Sequence, residues 1–111
     1  MQGNIRNTPD KNCVIYVLEL EGERFYVGKT TEKNLEARLQ SHQRRDDKCA
    51  HWTKVYKVKN IRRDLFRYKA SPFEEDMVVK EMMYIYGVDK VRGGIYSQYT
   101  LPPERVNTIL K

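Results

Sequence analysis

Tyr16, Tyr26, Arg38, His42 and Glu75 are side chains that together can do acid–base, electrostatic and metal chemistry. Hydrolysis of a phosphodiester asks for that combination: an activated water, stabilisation of charge on the scissile phosphate, and help for the departing oxygen. Arg38 carries a fork of donors matched to phosphate oxygens and does not lose its charge. His42 titrates near neutrality and can relay a proton. Glu75 can hold Mg2+ or Mn2+ as a single protein ligand, with waters and phosphate oxygens filling the other positions. Each residue also has a plainer reading. The tyrosines serve equally well as aromatics at a core edge, Arg38 and His42 as residues of a wet helix edge, and Glu75 as one more acid in a helix's first turn.

The elements that must position these groups are read from pattern. Residues 13–20, CVIYVLEL, are apolar, β-branched and aromatic, which predicts a strand. Glu21-Gly22 fits a tight turn, and residues 23–28, ERFYVG, alternate as a second strand, so the two form a β-hairpin. Thr31 or Asn34 caps the following helix, on which Leu35, Arg38, Leu39 and His42 share one face at i, i+3, i+4 and i+7. Residues 52–61, WTKVYKVKNI, alternate and predict a third strand, after which residues 62–70 continue the sheet or begin a loop. Ser71-Pro72-Phe73-Glu74 is a capping box opening a helix to Tyr86, with Gly87 in the left-handed closing position. Glu74 serves that box and leaves Glu75 free to point elsewhere, beside the apolar face of Val78, Val79 and Met82. Residues 91–94, VRGG, read as a glycine turn, and a short helix is expected after Pro102-Pro103. The expected class is α+β: a small three-stranded antiparallel sheet flanked by helices.

The chain has 111 residues, which suits one domain, with residues 1–12 as a loose lead-in. Its 21 Lys and Arg against 15 Asp and Glu give a net charge of +6, which favours a polyanionic partner. Lys29, Lys54, Lys57, Arg62, Arg63 and Arg92 are the candidate nucleic-acid contacts, several interleaved with Trp52, Tyr56 and Phe66. Cys13 and Cys49 form neither a CxxC pair nor a disulfide framework. No apolar run approaches the ~20 residues of a membrane helix, and the N-terminus lacks a signal-peptide stretch, so the expectation is an intracellular protein without a membrane partner.

Val14-Ile15-Tyr16 and Tyr26-Val27-Gly28, on neighbouring strands, with Arg38, His42 and Glu75 downstream, resemble the GIY-YIG nuclease family. So do Gly28-Lys29-Thr30, Trp52-Thr53-Lys54 and the segment 86–97, YGVDKVRGGIYS, which look like a eukaryotic and viral branch of that family. Val14 stands where the family usually has Gly, and Lys90 where many members have Asn. The resemblance spans residues 13–97. It implies a metal-dependent DNA endonuclease in which Tyr16 is the general base, its phenol made more acidic by Arg38 or Lys29, with Tyr26 orienting water and Glu75 binding the metal. It also implies duplex or branched DNA as partner, and a homodimer or a larger partner protein for cutting two strands. Two other readings explain parts of the pattern. A non-catalytic nucleic-acid-binding module fits Val14 and a Lys90 that supplies the cation's charge. A protein-interaction domain explains the composition but not the ordered set of five residues.

Overall fold

The computed structural model describes residues 12–94. The lead-in up to residue 11 and the helix expected after Pro102-Pro103 lie outside the described residues. The hairpin forms as its pattern dictates: β1, Cys13–Leu20, runs antiparallel to β2, Arg24–Thr31, in a register that sets Tyr16 opposite Gly28. Two helices follow, α1 at Leu35–Arg44 and α2 at His51–Val55, and then β3 at Val58–Ile61. After a 3-10 turn at Arg63–Leu65 come α3, Glu74–Tyr86, a second 3-10 turn at Val88–Lys90, and β4, Val91–Gly93.

The sheet has four strands in the order β3-β1-β2-β4, and it is mixed. β3 pairs antiparallel with β1, while β4 pairs parallel with β2. This corrects the expected three-stranded antiparallel sheet in two places. The first is the segment 52–61. Trp52, Val55 and Tyr56 satisfy helical spacing as well as alternation, and the chain takes one helical turn, α2, before β3 begins. The second is the segment 91–94, whose glycines read as a turn. Gly93 is instead a strand residue forced by close approach: a Cβ there would stand 2.1 Å from the Val27 carbonyl oxygen.

Both faces of the sheet are covered, which is why β1 is apolar almost throughout rather than alternating. Ile15, Val17, Phe25, Val27 and Val91 pack against Val78, Val79, Met82 and Met83 of α3. Val14, Tyr16, Leu18, Leu20 and Tyr26 pack on the opposite face against Leu35 and Leu39 of α1 and Trp52 of α2. The start of α3 follows the capping-box chemistry: Glu74 Oε2 accepts the Ser71 N–H at 2.7 Å, and Ser71 Oγ accepts the Phe73 N–H at 3.2 Å. At its end the Gly87 N–H bonds the Met83 carbonyl, with φ +110° and ψ 142°, a positive-φ turn into extended backbone rather than the left-handed helical conformation expected.

Candidate active site

β4 ends at Gly93, opposite Val27, and among the described residues no strand pairs with residues 28–31 of β2 on that edge. The first turn of α3 meets this gap. Lys29 Nζ lies 3.8 Å from Glu75 Oε1 and 3.5 Å from the Pro72 carbonyl. A cleft of about 390 Å³ opens there, lined by Tyr16, Tyr26, Lys29, Arg38, Glu75, Asp76 and Gly94. Four of the five chemically capable side chains singled out in the sequence thus share one cleft with Lys29, delivered from β1, β2, α1 and α3.

The two tripeptides of the hairpin are one device. Gly28 faces Tyr16 across the pair, and the Tyr16 ring lies over it so closely that a Cβ on Gly28 would stand 2.3 Å from the Tyr16 Cζ and hydroxyl oxygen. The glycine is the seat of the phenol. Val14 packs fully buried on the α1 face.

His42 does not line the cleft. It is completely buried behind Tyr16, whose hydroxyl is 2.7 Å from His42 Nε2. His42 Nδ1 lies 2.8 Å from Thr53 Oγ1, and that hydroxyl donates to the Ala50 carbonyl at 2.9 Å. Arg38 lines the cleft with Tyr16, and its guanidinium donates to the Lys48 carbonyl.

Burial governs the acidities here. It pushes the Tyr16 phenol well above its ordinary value, Tyr26 adds to this, and the charge of Arg38 and its hydrogen bond pull the other way without prevailing. Arg38 acts in the expected direction on this phenol, but desolvation of the phenolate exceeds the attraction of the guanidinium, so the net shift is upward. Tyr26 is pushed up to about 12 by burial and then by the Glu75 charge. Burial, with Arg38 assisting, lowers His42 to about 4. Burial raises Glu75, while Lys29 and the Gly94 N–H hold it down.

The His42 value fixes a pH dependence. A base whose folded pKa lies below the ordinary ~6.5 binds its proton in the unfolded chain first, so acid pulls the equilibrium toward unfolding between those two values. On the order of 3 kcal/mol is expected to be lost as pH falls from about 6.5 to 4. Denaturant midpoints of the wild type and His42→Gln, followed across that range, check it: the wild-type curve should fall more steeply, and parallel curves would contradict it.

The predicted basic contacts do not gather here, Lys29 excepted. Arg62 is held by Asp64 at 2.8 Å and by Glu19 at 3.4 Å, and Arg63 by Glu36 at 3.3 Å. Lys54 and Lys57 are exposed, and Lys57 sits by the hairpin turn, where its carbonyl accepts the Glu21 N–H. Arg92 is a correction. As a β4 residue it is 2% exposed, donates to the Val88 and Val91 carbonyls and lies over the Trp52 ring, so no phosphate reaches it. Lys90 is also away from the carboxylate, with its ammonium on the Gly22 carbonyl at 3.2 Å.

Asp76, on the cleft, and Thr53, bonded to His42, are given no role by the sequence pattern. Asp76 carries a signal in being the next acid after Glu75. Thr53 lies in the Trp52-Thr53-Lys54 segment of the resemblance, but a strand over residues 52–61 gives it no tie to His42. Among the described residues no cluster of three or more His, Cys, Asp or Glu is placed to grip a metal. The donor set suits Mg2+ or Mn2+ nonetheless, since such ions are held through one or two carboxylates with waters retained, and Glu75 with Asp76 offers that beside an open cleft. Cys13 and Cys49 are buried and not disulfide-bonded to each other, and no described helix is long and apolar enough to cross a membrane. Comparison with protein-family models, curated proteins and solved structures finds no match for this chain.

Proposed function

We propose that this chain is a divalent-metal-dependent endonuclease of the GIY-YIG type, hydrolysing phosphodiester bonds in DNA. The observation that carries the reading is the convergence of two phenols, a guanidinium, an ammonium and a carboxylate on one solvent-open cleft from four separate elements. Any one of these side chains is ordinary. Structural duty alone gives no reason for Arg38, Lys29 and Glu75 to line one cleft with Tyr16.

Glu75, with Asp76 beside it, would hold Mg2+ or Mn2+. Such an ion, when bound, polarises the phosphate and stabilises the departing oxygen. The chain's own groups do the rest. Arg38 offers its remaining donors to the phosphate oxygens, where negative charge grows. Lys29, on the same rim, neutralises a further oxygen and steers the strand in. Tyr16 takes a proton from the attacking water at its hydroxyl oxygen while passing its own proton to His42 Nε2. The phenol thereby stays neutral throughout, and the buried phenolate that its environment opposes is never formed. His42 is a free base at neutral pH because burial keeps it so, and the imidazolium returns its proton readily.

Backbone contact away from the cleft falls to Lys54 and Lys57, which are exposed. Arg62 and Arg63 would have to release Asp64, Glu19 and Glu36 first.

Supercoiled plasmid incubated with the purified protein and Mg2+ or Mn2+ is expected to be nicked or linearised, and chelation by EDTA to stop the reaction. Intact plasmid with both metals would overturn the proposal. A second reading rests on the Lys29–Glu75 pair, in which the carboxylate already has a cation from the chain itself. That suits a DNA-binding module without catalysis, and salt-sensitive binding with no cleavage would select it.

A further inference from the structure

The hydrogen bonds around His42 run in one direction only, and the direction is set outside the cleft. Thr53 Oγ1 has one proton, and 2.9 Å away stands the Ala50 carbonyl, which can only accept. With its proton committed there, the hydroxyl presents lone pairs to His42 Nδ1 at 2.8 Å. Nδ1 therefore carries the ring hydrogen of the neutral imidazole, and Nε2 is bare. Tyr16, 2.7 Å from Nε2, must donate to it. The far end of the chain of groups agrees. Arg38, whose charge acts on Tyr16, has donors only, so it offers no acceptor to compete with His42 for the phenol's hydrogen.

His42 is completely buried, so water does not choose the tautomer and the partners of its two nitrogens do. α2 brings Thr53 to that place: Ala50 precedes the helix in extended conformation, and its carbonyl also receives the Thr53 and Lys54 N–H groups. One helical turn thus holds both the hydroxyl and the carbonyl that orients it.

We propose that Thr53 is a positioning residue which, anchored on the Ala50 carbonyl, locks His42 in the Nδ1–H tautomer and so keeps Nε2 open for the Tyr16 proton. The use of that lock in turnover rests on the nuclease reading; the lock itself does not. Without it, a proton on Nε2 closes the acceptor, and Tyr16 has nowhere to send its hydrogen as it receives one from water.

Long-range 1H–15N correlation of the histidine side chains decides the matter. The chain has two histidines, and a His51→Gln variant assigns the signals. Wild-type His42 is expected to show a protonated Nδ1 and a bare Nε2. Thr53→Val keeps the shape and removes the acceptor; its His42 should shift toward the Nε2–H form, and kcat on DNA should fall by on the order of a hundred-fold with KM little changed. Thr53→Ser should restore both. A wild-type His42 protonated on Nε2, or a Thr53→Val protein that keeps the Nδ1–H form, overturns the proposal. Should Thr53→Val not fold, the wild-type tautomer and the Thr53→Ser spectrum still decide for or against the lock. A wild type that binds but does not cut DNA would end the nuclease reading, while the tautomer would still decide the role of Thr53.

Discussion

Under the nuclease reading, Glu75→Gln is expected to reduce metal-dependent cleavage by on the order of a thousand-fold, because the neutral amide would give up the charge proposed to hold the cation, whose Lewis-acid contribution is worth several kcal/mol. The same substitution should leave the fold as stable as before, or more so. Burial raises the pKa of Glu75 above that of an ordinary carboxylate, so its ionised form is a burden on the folded chain at neutral pH. Removing the charge lifts that burden and keeps the shape, the signature of a group retained for work rather than for structure. Arg38→Ala is the companion, with an expected loss of about 10²–10³ in kcat, comparable to removing one preorganised donor at a developing oxyanion. Plasmid cleavage alongside thermal denaturation separates the two properties. Glu75→Gln that cuts like the wild type, or that loses activity only by unfolding, would count against the assignment.

Gly28→Ala is expected to strike stability and activity together. The new methyl group would stand 2.3 Å from Tyr16 Cζ and hydroxyl oxygen, and a rigid aromatic ring packed against Leu35, Leu39 and His42 has no flexible end to withdraw. Overpacking of this kind costs about 1–3 kcal/mol. If the ring tilts away, His42 Nε2 loses its donor in a fully buried site, a penalty of about 1–3 kcal/mol more. Urea midpoints and cleavage rates check this. An alanine variant with wild-type stability and turnover would mean that the phenol does not rest on the glycine. An arrangement of this kind also accounts for the motif itself: the tyrosine of the first strand and the glycine of the second are two halves of one contact.

How much of this is legible in the sequence differs by element. The hairpin is readable because β-branched and aromatic residues flank a Glu-Gly turn. α3 is readable because Ser71 and Glu74 carry their own boundary. Arg38 and Glu75 are singled out by the family resemblance, and the apolar stripe that each adjoins aims them toward the sheet. α2 is not readable, since a segment with Trp52, Val55 and Tyr56 obeys two periods at once and only the packing of Trp52 against β1 settles which. Nor is β4, where the demand for glycine comes from the backbone of a strand more than sixty residues earlier in the chain. Charge is the least legible property. A count of Lys and Arg says nothing of partners, and Arg62 spends its charge on Asp64, two residues along, while Arg92 becomes an interior residue by joining a strand.

The parallel pairing of β4 with β2 sets the order in which the molecule can become competent. The hairpin and α1 are synthesised before α3 and can close locally, so both phenols and the guanidinium can meet early. Their carboxylate arrives on α3, whose seat on the sheet is completed by β4, the last described strand to be synthesised. A nascent or truncated chain that stops short of Val91 therefore carries an incomplete cleft. Under the nuclease reading, this cleft is harmless to nucleic acid until β4 has been synthesised.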